Sequence, residues 1–227
     1  MKAKILFYLL LSPYFLKAQI TKFTVKGVIA DTAGARYAYL TSLSRQNALS
    51  SDLYFKMVPI VNGKFEISGT FDLKGKPYQQ GILFIHHRAN ITKKEIQSKF
   101  EHFIWPAYYS TDYKSISLET MTVAIPSGKQ VNEMKVTEGG KITALRAEYN
   151  LSAKQGGERL IALLKANPDA QASLELVTTQ SWSFSYRDTI KTYWGTPLTL
   201  FTMLSDRLQN SKEGKSLKQK MDSDSKL

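Results

Sequence analysis

The stretch Val61-Asn62-Gly63-Lys64-Phe65-Glu66-Ile67-Ser68-Gly69 carries the strongest structural signal in this chain. Asparagine and glycine tolerate the positive φ angles of a type I′ turn, so Asn62-Gly63 predicts a two-residue β-hairpin between strands at 56–61 and 64–71. Apolar and polar residues alternate after the turn, which is typical of a strand with one buried face. The inward face would carry Phe65, Ile67 and Phe71, and the outward face Lys64, Glu66 and Ser68.

The same period-two alternation extends on both sides of this hairpin, from residue 23 to residue 136. Phe23, Val25 and Ile29 alternate with polar residues in an opening strand, and we expect residues 37–43 to pair with it after a turn at 31–34. The continuous apolar run 81–85 predicts a central strand covered on both faces. Further strands are expected at 115–125 and 131–136, joined by a turn at 126–129. The result is seven or eight short strands.

From Gly139-Gly140 onward the apolar residues follow a helical period. Ile142, Leu145 and Tyr149 share one helix face, and a second stripe at 160–164 ends at Asn167-Pro168. Three helix starts are expected, with Asp169, Thr196 and Ser211 as N-caps; the Thr196 helix would continue through Leu208, and the last would carry Leu217 and Met221. The predicted fold is therefore α+β: an antiparallel β-sandwich or barrel-like part over 19–137, followed by a small helical part over 138–227. The stretch 91–113 has no clear pattern.

The N-terminus has the order of an export signal. Lys2 and Lys4 precede the apolar run 5–11, and Ala18 is a small residue at a cleavage point, so residues 1–18 are a predicted signal peptide. The run is shorter than the roughly 20 residues of a membrane span. We therefore expect a periplasmic or otherwise exported protein with no transmembrane segment after signal removal. The net charge of +12 is scattered along the chain, and we expect a solvated basic surface and no nucleic-acid partner.

The sequence contains no cysteine, which excludes disulfides, a thiolate nucleophile and a redox dithiol. It has no G-x-S-x-G elbow and no glycine-rich phosphate loop, and its S-x-x-K stretch at 223–226 lies in the tail. His86, His87 and His102 are the histidines a metal could use. Neighbouring strand residues point to opposite faces, so His86 and His87 are not expected to share an ion. We predict no catalytic residue, no metal and no cofactor.

Two aromatic groups are candidates for a recognition surface. They are Trp105, Tyr108 and Tyr109 in one group and Trp182, Tyr186 and Trp194 in the other. Amphipathic rings contribute much of the energy at interfaces with peptides or glycans. The same rings more often form the seam where a helical layer packs on a sheet, and this packing interpretation is the favoured one of the two.

Several segments resemble the DUF4369-type N-terminal region of bacterial thioredoxin-like thiol-disulfide oxidoreductases. They are residues 23–29, Tyr39-Leu40, 61–69, 166–174 and 204–217. The resemblance implies an exported β-rich domain followed by a helical segment, to which many members add a thioredoxin-like domain. This sequence lacks the Cys-x-x-Cys pair of that domain, so the redox activity of the family is not expected here.

The expected function is an exported, non-catalytic binding or accessory module. It would recognise a protein partner or a surface in the periplasm, beside a thiol-redox partner encoded separately. The alternatives are a periplasmic small-ligand or glycan-binding protein, a hydrolase with a site built from distant carboxylates or histidines, and a truncated copy of a longer oxidoreductase. The sequence leaves the oligomeric state open.

Overall fold

A computed structural model describes residues 20–31, 34–42, 54–74, 76–101, 112–155, 157–184 and 196–224. These residues form two four-stranded sheets and seven α-helices that mostly follow the sheets, which confirms the α+β class. The strands are β1 (Ile20–Ile29), β2 (Tyr37–Thr41), β3 (Phe55–Pro59), β4 (Lys64–Asp72), β5 (Gln80–His86), β6 (Tyr113–Ser117), β7 (Met121–Ile125) and β8 (Lys135–Gly139). The helices are α1 (Lys93–Glu101), α2 (Lys141–Gln155), α3 (Gly157–Ala166), α4 (Gln171–Phe184), α5 (Pro197–Phe201), α6 (Asp206–Gln209) and α7 (Lys212–Asp224), with a 3₁₀ turn at Val131–Glu133.

The two sheets pack face to face as a sandwich and do not close into a barrel. The first sheet has the strand order β4-β1-β7-β8, and the second has the order β3-β2-β5-β6. Val25 and Ile67 of the first sheet share one buried cluster with Leu40 and Leu83 of the second. The pairing is antiparallel throughout the described strands except between β1 and β7, which run parallel.

The predicted faces of β1 and β4 are confirmed. Val25 lies opposite Ile67 in the ladder, and both side chains are fully buried. Lys26 and Glu66 also lie opposite each other, and both are exposed on the outer face of the first sheet. Because side chains alternate along a strand, the apolar residues of both strands reach the core while the charged ones stay in water.

The Asn62-Gly63 turn forms as predicted, but the hairpin does not extend beyond it. The two residues have φ angles of +50° and +70°, and Val61 and Lys64 exchange two backbone hydrogen bonds of 2.9 Å. Beyond this pair β3 enters the second sheet and β4 enters the first, so β4 pairs with β1 instead. The turn is a corner of the sandwich, held by the 2.7 Å bond from the Ile29 amide to the Gly63 carbonyl.

One predicted pairing and one predicted strand are wrong for the same reason, which is that strands close in sequence lie in opposite sheets. The strand predicted at 37–43 exists as β2, but it pairs with β3 and β5 and not with β1. The single strand predicted at 115–125 is divided into β6 in the second sheet and β7 in the first. The chain crosses the sandwich at 118–120, where the Leu118 amide donates to the Gln79 carbonyl at 2.8 Å.

Helix α1 covers the outer face of the second sheet and occupies part of the stretch 91–113. Ile96 of α1 packs on Tyr39 and Phe84, whose rings stack 4.8 Å apart. Strand β5 is therefore covered on both sides, by the other sheet and by α1, as its continuous apolar run predicts. The helix begins with a capping box, in which the Glu95 amide donates to the Thr92 hydroxyl and the Thr92 amide donates to the Glu95 carboxylate.

The helical part follows the predicted starts except at Asp169. Thr196 caps α5 by accepting the Thr199 amide at 3.2 Å, and Ser211 caps α7 by accepting the Gly214 amide at 3.0 Å. Asp169 does not cap α4, because its carboxylate accepts hydrogen bonds from the side chains of Ser205 and Arg207.

The amphipathic helix predicted from Thr196 through Leu208 is divided into two. Helix α5 ends at Phe201, and Ser205 then caps α6 by accepting the Leu208 amide. The Ser205 amide donates to the Pro168 carbonyl at 2.8 Å, a bond to another part of the chain that replaces a continuing helical bond. Leu204 and Leu208 are buried despite the break, since the apolar spacing survives it.

Replacing Gly63 with alanine should destabilise the corner more than the same change at Gly128. Both residues have positive φ, +70° and +68°, where a side chain costs roughly 1–2 kcal/mol. A β-carbon at Gly63 would also lie 2.6 Å from the Ile29 carbonyl oxygen, whereas one at Gly128 would meet no heavy atom within 4 Å. We expect Gly63→Ala to lower the free energy of unfolding, measured in urea, by at least about 1 kcal/mol more than Gly128→Ala. Equal losses would contradict the corner geometry.

Candidate functional site

Glu119, in the connection between β6 and β7, attaches the helical part to the sandwich. Its carboxylate accepts the backbone amides of Ile142 at 3.2 Å and Thr143 at 2.8 Å, and also the Thr143 hydroxyl at 2.8 Å. The Thr143 hydroxyl oxygen in turn accepts the Ser117 amide at 2.9 Å. Amides in the first turn of a helix have no partner within the helix, so Glu119 acts as an N-cap supplied from the sheet. The start of α2 is thereby held against β6.

A polar cleft of about 720 Å³ lies beside this attachment, where β5 meets helices α2, α4 and α7. We call it the junction cleft. Its lining combines amides, hydroxyls and charges of both signs. The lining residues are Gln80, Arg146, Gln171, Leu174, Glu175, Thr178, Thr179, Lys212, Glu213, Ser216, Leu217 and Lys220. Pockets that bind ligands have comparable volumes, roughly 300–1,000 Å³.

Arg146 lines the junction cleft one helical turn after Thr143. Its guanidinium carbon lies 5.6 Å from the centre of the Tyr78 ring, within cation–π range. Its Nε lies 3.7 Å from a carboxylate oxygen of Glu175, which is an ion-pair distance but too long for a hydrogen bond. The side chain is only 25% exposed. Within the described part of the chain, the guanidinium therefore has charge compensation but no hydrogen-bond acceptor.

Tyr78 lies beneath Arg146 with a buried hydroxyl. The residue is 9% exposed, and its hydroxyl makes no hydrogen bond to any residue that the structure describes. Burial raises the pKa of this hydroxyl, and the nearby Glu175 carboxylate raises the pKa further, whereas Arg146 lowers it. Tyr78 is therefore a neutral phenol, able to donate one hydrogen bond.

The side chains predicted for recognition fall outside the part of the chain that the structure describes. Trp105, Tyr108, Tyr109, Tyr186 and Trp194 are outside the described residues, and Trp182 lies in α4 with its side chain outside the description. Their role in recognition stays a prediction. The junction cleft was not predicted from the sequence, because the residues that line it are far apart along the chain and form no motif.

The two strand-end histidines lie side by side, contrary to the expectation that they point to opposite faces. Their ring centres are 4.2 Å apart with an interplanar angle of 27°. Strand β5 ends at His86, so the alternation of a strand no longer applies at His87. The His86 Nδ1 accepts the Arg88 amide at 3.0 Å. His102 lies outside the described residues, within which no three metal-ligating side chains form a cluster.

Glu95 connects the histidine end of β5 to helix α1. Hydrogen bonds from the Thr92 amide and then from Arg88 lower the pKa of Glu95 to about 2. The Arg88 guanidinium donates to Glu95 at 2.6 Å. The sequence signal for this helix start was available, since Thr92 and Glu95 have the spacing of a capping box. This cluster has the character of a helix cap, and the junction cleft is the better candidate for binding.

No protein-family model, curated protein or solved structure matches this chain. The resemblance to the N-terminal region of thiol-disulfide oxidoreductases therefore stays a prediction from the residues that carry it. Among the helices that the structure describes, none combines the length and the apolar character needed to traverse a lipid bilayer.

Removing the Glu119 carboxylate should weaken the attachment of the helical part. Loss of a helix N-cap costs roughly 0.5–2 kcal/mol, so we expect Glu119→Ala to lower the free energy of unfolding by about that amount. Glu138→Ala is the matched control, because Glu138 is exposed and its carboxylate accepts only a long side-chain bond, 3.3 Å from the Thr122 hydroxyl. Urea unfolding of both variants checks this, and a loss no larger for Glu119→Ala than for Glu138→Ala would contradict the capping role.

His86 should make the protein less stable in mild acid. Its pKa is lowered by burial first, then by His87, Lys99 and Arg88, with Glu95 acting in the opposite direction. Below the ordinary histidine pKa of about 6.5 the unfolded state binds more protons than the folded state, so the free energy of unfolding falls as the pH falls.

Urea unfolding at about pH 7.5 and about pH 5.5 measures this effect, because carboxylates with a lowered pKa such as Glu95 stay ionised over that window. His86→Asn keeps an acceptor for the Arg88 amide but cannot titrate, so we expect a smaller loss of stability on acidification. If His86→Asn loses as much stability on acidification as the original protein does, His86 is not responsible for that loss.

Proposed function

We propose that this protein is an exported, non-catalytic binding module that recognises a partner protein through the junction cleft. The observation that supports this most is the cleft itself, about 720 Å³ in volume and built jointly by the sandwich and the helices. Its wall contains Arg146, whose largely buried guanidinium has no hydrogen-bond acceptor among the described residues. Buried polar groups normally have partners, so this arrangement favours a bound ligand.

The shape of the junction cleft favours an extended ligand. Helix α4 lines it from Gln171 to Thr179, and helix α7 lines it from Lys212 to Lys220. Each wall extends over eight helical steps of 1.5 Å, which makes it roughly 12 Å long. An extended chain advances roughly 3.3 Å per residue, so each wall can contact three to four residues of a peptide.

The chemistry of the walls also suits a peptide. The amides of Gln80 and Gln171 and the hydroxyl of Ser216 line the cleft, and the Thr178 hydroxyl, which donates to the Leu174 carbonyl, can accept a hydrogen bond there. Amide and hydroxyl groups donate as well as accept hydrogen bonds, and a peptide backbone offers an acceptor and a donor at nearly every residue. The signal-like order of residues 1–18 supports an exported location. A partner in thiol-redox chemistry is consistent with the resemblance seen in the sequence.

Site-directed photo-crosslinking in the producing cells tests this proposal. A photo-reactive residue at Thr179, which is exposed in the cleft, should form a covalent adduct with a protein of defined mass. The same residue at Thr70, which is exposed on β4 away from the cleft, should not form that adduct. Ser216→Trp fills the cleft from the α7 wall and should remove the Thr179 adduct. Absence of a Thr179 adduct, or equal adducts at both positions, would contradict the proposal.

A further inference from the structure

Arg146 has more hydrogen-bonding capacity than the described structure uses. A guanidinium carries five N–H donors in a planar fork that matches the two oxygens of a carboxylate. Glu175 compensates its charge at 3.7 Å, and the Tyr78 ring lies 5.6 Å beneath it. Neither contact is a hydrogen bond, although three quarters of the side chain is buried. The free donors lie at the wall of the junction cleft, where a ligand can reach them.

Tyr78 lies behind Arg146 and is not one of the residues that line the junction cleft. Its hydroxyl is buried and has no hydrogen-bond partner among the described residues. Glu175 and Gln80, which both line the junction cleft, act on this hydroxyl together with Arg146. The Tyr78 ring therefore supports the Arg146 guanidinium from one side, and the donors of Arg146 are the ones that a ligand in the cleft can reach.

The charge of the junction cleft favours an anionic group. Arg146, Lys212 and Lys220 line it against the two carboxylates of Glu175 and Glu213, and 3 − 2 gives a net charge of +1. The two lysines belong to the α7 wall, across from Glu175 on α4. The α7 wall also carries Glu213, so the excess positive charge of the cleft comes from Arg146 and the two lysines taken together. Without Lys2, Lys4 and Lys17 of the predicted signal the net charge is 12 − 3 = +9, which adds a long-range attraction of the same sign.

We infer that the junction cleft binds a carboxylate of an acidic peptide segment, with Arg146 donating to its oxygens. This inference rests on the proposed function and names the chemistry that the cleft recognises. The carboxylate belongs to an aspartate or glutamate side chain or to the C-terminus of the partner. The amides and hydroxyls of the cleft walls hold the peptide backbone on either side.

Fluorescence anisotropy with matched peptides tests the inference on the purified full chain. One arm compares labelled octapeptides that carry a central glutamate or aspartate with the same peptides carrying glutamine or asparagine. A second arm compares peptides that end in a free carboxylate with the same peptides ending in an amide. We expect about tenfold tighter binding of the carboxylate member in one of the arms, and the arm that responds identifies the source of the carboxylate.

Three variants separate recognition from stability. Arg146→Gln should remove the preference for the carboxylate peptide. Arg159→Gln, the matched control, should keep it, because Arg159 also lies 3.7 Å from a helical glutamate, Glu148, but does not line the junction cleft. Tyr78→Phe should also keep the preference and leave the protein as stable or more stable, because it retains the ring beside Arg146 and removes only a buried hydroxyl outside the cleft lining.

The inference is overturned if acid and amide peptides bind equally, if Arg146→Gln keeps the preference, or if an acidic oligosaccharide such as an oligogalacturonate binds more tightly than any peptide. The Ser216→Trp variant distinguishes a failure of this inference from a failure of the proposed function. If it abolishes peptide binding while Arg146→Gln keeps the preference, the cleft recognises peptides by other contacts and only the inference fails. If no peptide binds in the cleft and Thr179 forms no adduct, both fail.

Discussion

The carboxylate of Glu119 is the contact on which the arrangement of the two parts depends. It lies in the connection between β6 and β7 and caps the first turn of α2, next to the bond from the Ser117 amide to the Thr143 hydroxyl. Because α2 is held at its first turn, Arg146 lies one turn further on, above Tyr78. The junction cleft therefore follows from the way in which the helical part is attached, and its donors come from both parts.

The sandwich supplies a rigid base for this attachment. Its two sheets share one apolar core, and the second sheet is buried again on its outer face by α1. The chain passes repeatedly between the sheets, at the Asn62-Gly63 corner and again at 118–120. Such crossings place residues that are near in sequence in different layers, and they make each sheet depend on the other for its burial. The outer face of the first sheet, with Lys26 and Glu66, remains in water.

The junction cleft keeps polar groups that a fold optimised only for stability would satisfy. A buried group without a partner costs roughly 1–3 kcal/mol, and here the largely buried Arg146 guanidinium has no hydrogen-bond acceptor among the described residues. Glu175 lies close enough to Arg146 to compensate its charge but too far away to accept a hydrogen bond from it. This combination is typical of a site prepared for an acceptor from outside, which is why we place recognition there and not at the histidine end of β5.

Local sequence determined which residues face the core and where the chain can turn or begin a helix. The alternation in β1 and β4 depends on the side-chain period of a strand, and it is present. The Asn62-Gly63 turn depends on the φ angles that its residues allow, and the caps at Thr196 and Ser211 depend on short-range hydrogen bonds; these are present too. Only the tertiary structure decided that β4 pairs with β1, that the helix starting at Thr196 stops before Ser205, and that Arg146, Tyr78 and Glu175 meet. Strand partners and clefts depend on which faces pack together across long separations in the chain, and no local pattern carries that information.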